Sequence, residues 1–214
     1  MHTIFTTNSS FLLASEYCDD SGSPVRFCAF HFHDVFTAKV IDIMAHQTTA
    51  TWIPELLYKL GEKLNQIPVH ITKESNGYLF NFMLMSILTS ASNLFINEIG
   101  SIQDIDRCFM GNFGLPISPF GKMDQIGLDT ALNIAHNNNT PQADKFASLL
   151  EPIVKSGKFG MKSGEGLYQY PNPEYSQADF LKPQSNHVLK TTDYGYHHSL
   201  LLTGLCISNV KLII

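Results

Sequence analysis

The chain changes character at Asn76-Gly77, and that break limits what it can fold into. Before it, short β-like runs occur at residues 3–7, 25–32, 39–44 and 69–72. Between the third and fourth, Ile53, Leu56, Leu57, Leu60 and Leu64 recur at helical spacing, with Glu55, Lys59, Glu62 and Lys63 on the other faces. Strand–helix–strand alternation of this kind predicts part of an α/β sheet. After the break the pattern is helical as far as Gly157. Ser101 with Asp104 three residues on, Ser118-Pro119 and Thr140-Pro141 each read as a capped helix start. Gly157 ends the last helix, over 141–156. The segment 160–170 reads as an extended ribbon, and no pattern emerges beyond Pro183.

Hydrophobic residues make up 44% and charged residues 15%, enough apolar content for a real core in 214 residues. A net charge of −5 argues against a nucleic-acid partner, which requires a basic face. Cys18, Cys28, Cys108 and Cys206 form no CxxC pair, and Met1-His2-Thr3-Ile4-Phe5 carries no basic leader, so a cytoplasmic protein with reduced thiols is expected. Gly77 to Asn97 holds no charge and is long enough to span a bilayer. Asn81, Ser86, Thr89, Ser90, Ser92, Asn93 and Asn97 are spread through it, which fits a central packed helix better than a membrane span.

Moving a proton at a reacting group near neutral pH requires a general base, and histidine suits that task. His31 and Asp42 could form such a pair. Eleven residues apart, they cannot share a helix face, but two neighbouring strands could bring them together. The bland alternative is a histidine tolerated at a strand end. Metal binding is a second alternative: His31-x-His33 and His197-His198 each offer two ligands, with Cys28 near the first. Neither pair has a third and fourth ligand at known zinc spacing, so no metal site is expected. Gly164-x-Gly166 lacks a third glycine and follows a helix, so it is no phosphate loop.

Arg26-Phe27-Cys28-Ala29-Phe30-His31-Phe32, Lys39-Val40-Ile41-Asp42, Ser75-Asn76-Gly77-Tyr78-Leu79-Phe80-Asn81 and Gly114-Leu115-Pro116-Ile117-Ser118-Pro119-Phe120 come in the order found in the 3-hydroxyacyl-CoA dehydrogenases, which the chain resembles over residues 3–175. The resemblance implies α/β plus all-α architecture: a partial Rossmann-type sheet (its C-terminal strands only) over 1–73, then a helical 6-phosphogluconate-dehydrogenase-like domain over 74–175, with 176–214 unassigned. It implies NAD as cofactor, an acyl-CoA substrate of fatty-acid β-oxidation held in the cleft between the domains, and a homodimer formed through the helical domain. It casts His31 as catalytic base and Asp42 as the acid that orients it. Ser9 would contact substrate and nicotinamide, and Asn81 would sit at the start of the long helix beside the base. The aromatic and methionine stripe Phe80, Phe82, Met83, Met85 and Phe95 is expected to pack, in part as the dimer face.

The chain departs from the family pattern in four ways. His33-Asp34-Val35 replaces Phe-Asn-Pro after the His31-Phe32 pair, Asp42 is one methylene shorter than the family glutamate, and Phe82 replaces an arginine. A misplacement near 1 Å can cost roughly 10²-fold in rate. No GxGxxG turn follows any of the strand-like runs. The expectation is therefore a dehydrogenase impaired or inactive as this chain, with an unpaired sheet edge and exposed apolar surface. Two other readings stay open: a non-catalytic remnant that keeps only the association domain, and a related dehydrogenase acting on a free hydroxy acid or sugar acid.

Overall fold

A computed structural model describes residues 3–33, 38–137 and 140–182, together with the backbone at 201–202 and 205–206. The chain divides into two units, Met1–Phe180 and Leu181–Ile214. In the second, Leu201–Leu202 and Leu205–Cys206 pair as two short antiparallel strands.

The first unit opens with a sheet of four strands in the order β1 (Phe5–Thr7), β2 (Phe27–Phe32), β3 (Val40–Met44) and β4 (Ile67–Ile71). β1 runs parallel to β2, β2 antiparallel to β3, and β3 parallel to β4 through helix α1 (Trp52–Lys63). Side chains alternate along each strand, so the two sheet faces separate cleanly. Cys28, Phe30, Ile41 and Ile43 meet Ile53 and Leu57 of α1 on one face. Phe27, Ala29 and Met44 meet Ala14, Cys18 and Tyr78 on the other. His31 and Asp42 share the parity of this second face.

The expected run at 25–32 begins two residues later, because Pro24–Arg26 forms a 3-10 turn. Proline fixes φ and has no N–H to donate to a ladder, so it starts the turn rather than the strand. The outer strands expose Phe5 and Ile67, and α1 exposes Leu56 and Leu60, with Leu64 exposed just past its end.

The helical part comprises α2 (Phe80–Ile96), α3 (Ile102–Phe113), α4 (Pro119–Ile126), α5 (Leu128–Asn137) and α6 (Pro141–Lys155). All three expected caps form. The Ser101, Ser118 and Thr140 hydroxyls accept from the backbone N–H of Asp104, Gly121 and Ala143 at 3.1, 3.0 and 3.2 Å. Ser118 is buried, so Ser118→Ala leaves an unpaired N–H at the start of α4. The expected loss is about 1 kcal/mol of unfolding free energy, read from the urea midpoint. Among the described residues no helix is long and apolar enough to cross a membrane; the uncharged α2 instead buries Leu88, Ala91 and Ser92 in the helical core. The stripe on α2 divides. Met85 and Phe95 pack against the core, while Phe82 and Met83 remain 61% and 57% exposed.

The segment 160–170 corrects the expectation of an extended ribbon. It is a 3-10 turn at Met161–Ser163 flanked by isolated bridges, Gly160 to Glu165 and Glu165 to Gln169. The cause is the buried carboxylate of Asp124, around which this loop wraps. Asp124 accepts from the N–H of Leu167 and Tyr168 at 2.9 Å each and from the Tyr170 hydroxyl at 3.0 Å. A second buried carboxylate, Asp106, accepts from the Tyr168 hydroxyl at 2.6 Å and from Phe120 N–H at 3.1 Å. A Cβ on Gly166 would fall on the Asp124 carboxylate and lie 2.6 Å from the Gly160 Cα, so this position accepts glycine alone.

Candidate active site

His31 and Asp42 lie directly opposite each other in the antiparallel pairing of β2 and β3. Cross-strand partners project to the same face, and here that face is covered by Tyr78, whose ring stacks on His31 at 5.1 Å and 17°. Only 3% of His31 and 1% of Asp42 is exposed. Tyr78 reaches its position through a left-handed φ of 56° just after Gly77 and anchors its hydroxyl on the Leu12 carbonyl at 3.2 Å. Burial, then the Asp42 charge, pushes its pKa up to about 12, so it is a neutral lid on the imidazole.

The separation within the pair is 3.9 Å from His31 Nδ1 to Asp42 Oδ2, too long for a hydrogen bond. Asp42 lies closer to a second imidazole. His33 Nε2 stands 3.0 Å from the same oxygen, without the alignment of a hydrogen bond. His31 and His33 are two apart at the end of β2, so they point to one side and their rings meet edge to face at 4.6 Å. Phe80 closes the far side of His33 at 5.1 Å. Burial by itself would raise the Asp42 pKa; the His31 and His33 imidazoles outweigh it and hold the carboxyl below the usual carboxylate range.

His31-x-His33 therefore corrects the expectation that it lacks a third ligand. Asp42 supplies one from the neighbouring strand, at a sequence distance no spacing rule covers. Cys28 does not join. It lies on the opposite face, donates its thiol to the Ala29 and Met44 carbonyls, and is pushed by burial up to about 12. His197 and His198, and Asp34 and Val35 of the altered loop, lie outside the described residues.

Ser9 and Asn81 sit on the two sides of one connection. The Ser9 hydroxyl oxygen accepts from Leu12 N–H at 3.0 Å, closing a turn just beyond β1. Asn81, in the first turn of α2, donates to the Ser10 carbonyl at 2.8 Å. Asn8 Oδ1 accepts from Phe32 N–H at 2.8 Å and ties that turn to the end of β2, next to His31 and His33. The four sequence-predicted residues thus belong to one connected region. Tyr78 is the site residue that sequence reasoning passed over; the Asn76-Gly77 turn before an aromatic is the signal that could have found it.

A glycine cradle for a pyrophosphate is not found among these residues. Of the glycines before Asn76, Gly61 packs on Pro68 from within α1, and Gly22 follows a 3-10 turn and faces open space. An apolar cavity of about 80 Å³ between α2, α4, α5 and α6, lined by Met85, Leu88, Met123, Ala135 and Phe146, includes none of the site residues.

The pH dependence follows from these carboxylates. The depressed Asp42 stabilises the fold above the unfolded carboxylate pKa of about 3.9, and that contribution is lost as pH falls through the folded value. Asp106 and Asp124 are raised, chiefly by burial, so their effect has the opposite sign: it costs stability as pH rises through their window. Asp42→Asn should flatten the loss of stability below about pH 4, measured by urea midpoints across pH 2 to 6.

Residues 1–75 match the NAD-binding domain of 3-hydroxyacyl-CoA dehydrogenase, and residues 77–170 match the C-terminal domain of the same family. The human mitochondrial hydroxyacyl-coenzyme A dehydrogenase is 30% identical over 174 residues, 79% of this chain and 55% of that protein. A diketoreductase structure superposes with a TM-score of 0.72 at 32% identity, covering 78% of this chain and 60% of that one. The (S)-3-hydroxybutyryl-CoA dehydrogenase PaaH1 from Ralstonia eutropha gives a TM-score of 0.68 at 26% identity over 78% and 60%. The chain spans about half the length of the curated relatives it matches. With a Rossmann-like sheet, a helical C-terminal domain and both family domains matched in order, the chain belongs to the 3-hydroxyacyl-CoA dehydrogenase family.

Proposed function

We propose that the chain acts as an NAD-dependent 3-hydroxyacyl-CoA dehydrogenase, with His31 as the base. The observation that carries this reading is the buried cross-strand pair of His31 and Asp42, capped by Tyr78. His31 Nδ1 faces Asp42, which leaves Nε2 to take the proton of the substrate's 3-hydroxyl. Asp42 stabilises the imidazolium by charge rather than by a hydrogen bond, because 3.9 Å separates them. Ser9 and Asn81 hold the substrate oxygen and acyl group in register with His31. NAD, when bound, supplies the hydride acceptor. Without a pyrophosphate cradle on the described residues, NAD affinity on these residues alone is expected to be weak.

The long gap to Asp42 predicts a gain of function. Asp42→Glu combined with His33→Phe lengthens the carboxylate toward His31 and removes its competitor. Turnover should rise by about tenfold or more, measured as kcat beside the native chain.

A homodimer through the exposed Phe82 and Met83 face of α2 belongs to the same proposal. Sedimentation of the native chain beside Phe82→Glu tests it, a dimer that becomes monomer being the expected result. The second functional reading, a reductase of free dicarbonyl compounds, is favoured by the likeness to the diketoreductase at 32% identity. NADH consumption at high cofactor concentration separates the readings. Turnover of acetoacetyl-CoA well above that of acetoacetate supports the acyl-CoA reading, equal turnover supports the free-carbonyl reading, and turnover of neither leaves a non-catalytic remnant.

A further inference from the structure

Four polar atoms lie buried at one point without a hydrogen-bond partner: Nδ1 of His31, both ring nitrogens of His33 and Oδ2 of Asp42. Buried polar groups in folded proteins are nearly always paired, so a convergent group of unpaired ones requires an explanation. Their chemistry supplies it, since imidazole nitrogen and carboxylate oxygen can both coordinate one divalent transition-metal ion.

We propose that His31, His33 and Asp42 form a binding site for a divalent transition-metal ion of the zinc class. One ligand atom from each residue lies within 4.8 Å of the others. The separations to Asp42 Oδ2 are 3.0 Å from His33 Nε2 and 3.9 Å from His31 Nδ1. Metal–ligand bonds of about 2.0–2.1 Å in a tetrahedron place neighbouring ligands about 3.4 Å apart, between those two values. Seating an ion requires side-chain rotations that bring the three ligand atoms, within 4.8 Å of one another, to that separation.

The surroundings favour this arrangement. Asp42 is fixed opposite His31 by the strand register, and His33 follows two residues on along the same face. Tyr78 stacked on His31 and Phe80 against His33 hold both rings, so little ordering remains for the metal to enforce. Two imidazoles and one carboxylate select zinc, cobalt or nickel over magnesium or calcium, which prefer oxygen. Three protein ligands leave a fourth position for water or a substrate oxygen.

The site overlaps the proposed base, so a bound ion occupies His31 and blocks proton transfer. That consequence rests on the dehydrogenase reading; the binding itself does not. His33 carries the distinction, because it is a ligand here and takes no proton in the proposed reaction.

The test is titration of the full, metal-free chain with Zn2+ by calorimetry and with Co2+ by visible absorption. One ion per chain with a tetrahedral cobalt spectrum is expected. His33→Phe and Asp42→Asn should each weaken binding by more than about tenfold, while the double variant His197→Ala/His198→Ala should bind as the native chain does. In the native chain, Zn2+ should shift the imidazole resonances of His31 and His33 and leave those of His46 and His70 in place, a readout that needs no variant to fold. Native-like binding by His33→Phe, or loss of binding only in the His197→Ala/His198→Ala chain, would overturn the proposal. Failure here leaves NADH turnover untouched, and loss of turnover leaves the titration untouched, so the two readings fail separately.

Discussion

His31→Ala is expected to lower kcat for acetoacetyl-CoA reduction by about 10²–10⁴-fold, with KM for the acyl-CoA nearly unchanged. The range is that of a positioned general acid–base group, and the split follows because the imidazole acts in the transition state rather than in binding. Alanine also leaves space beneath the Tyr78 ring that stacks on His31. His31→Gln fills that space without a usable base, so it should show the same loss with near-native stability. A variant that loses stability in step with activity would point to packing instead. Asp42→Asn should cost less than His31→Ala, because its carboxylate already stands 3.9 Å from the ring.

The largest stability effect belongs to Asp124, far along the chain from this chemistry. Its carboxylate accepts three hydrogen bonds, from Leu167 N–H, Tyr168 N–H and the Tyr170 hydroxyl. An asparagine offers one oxygen and turns an N–H₂ group toward at least one of those donors. Losing a hydrogen bond to a charged acceptor and stranding a buried donor together cost about 3 kcal/mol. For a chain of this size that is a fall in Tm of about 6–12 °C, read by calorimetry. Gly166→Ala should match it, since a Cβ there meets the same carboxylate and the Gly160 backbone. Lys162→Ala, which removes an exposed ion pair with Asp129, should change Tm by far less.

Much of this architecture is written locally. Ser101, Ser118-Pro119 and Thr140-Pro141 mark helix starts within a few residues of themselves, and each hydroxyl accepts the expected N–H. The spacing of Ile53 and Leu57 places α1 against the sheet because that periodicity depends on nothing distant. His31 and Asp42 are legible as a pair only once β2 and β3 are recognised as neighbours, and the register itself comes from the fold.

Long-range partners are what the sequence withholds. Nothing near Asp124 announces that Leu167 and Tyr168 will donate to it from more than forty residues away, so the segment around Gly164 reads as a ribbon when it is a loop around a carboxylate. The role of His33 is hidden for the same reason. In sequence it is half of a two-histidine pair, and Asp42 becomes its third partner only when β3 folds back beside β2. Tyr78 depends on a left-handed backbone that aromatic residues seldom adopt, so no propensity points to its place over His31.

The most direct test of the central claim runs the reaction in its oxidative direction. The full chain is given 3-hydroxybutyryl-CoA and excess NAD in the presence of a chelator, and NADH and acetoacetyl-CoA are measured together. Both products are expected in equal amounts, with His31→Gln forming neither at a comparable rate. Equal rates for the native and His31→Gln chains, or no product from the native chain at saturating cofactor, would contradict it.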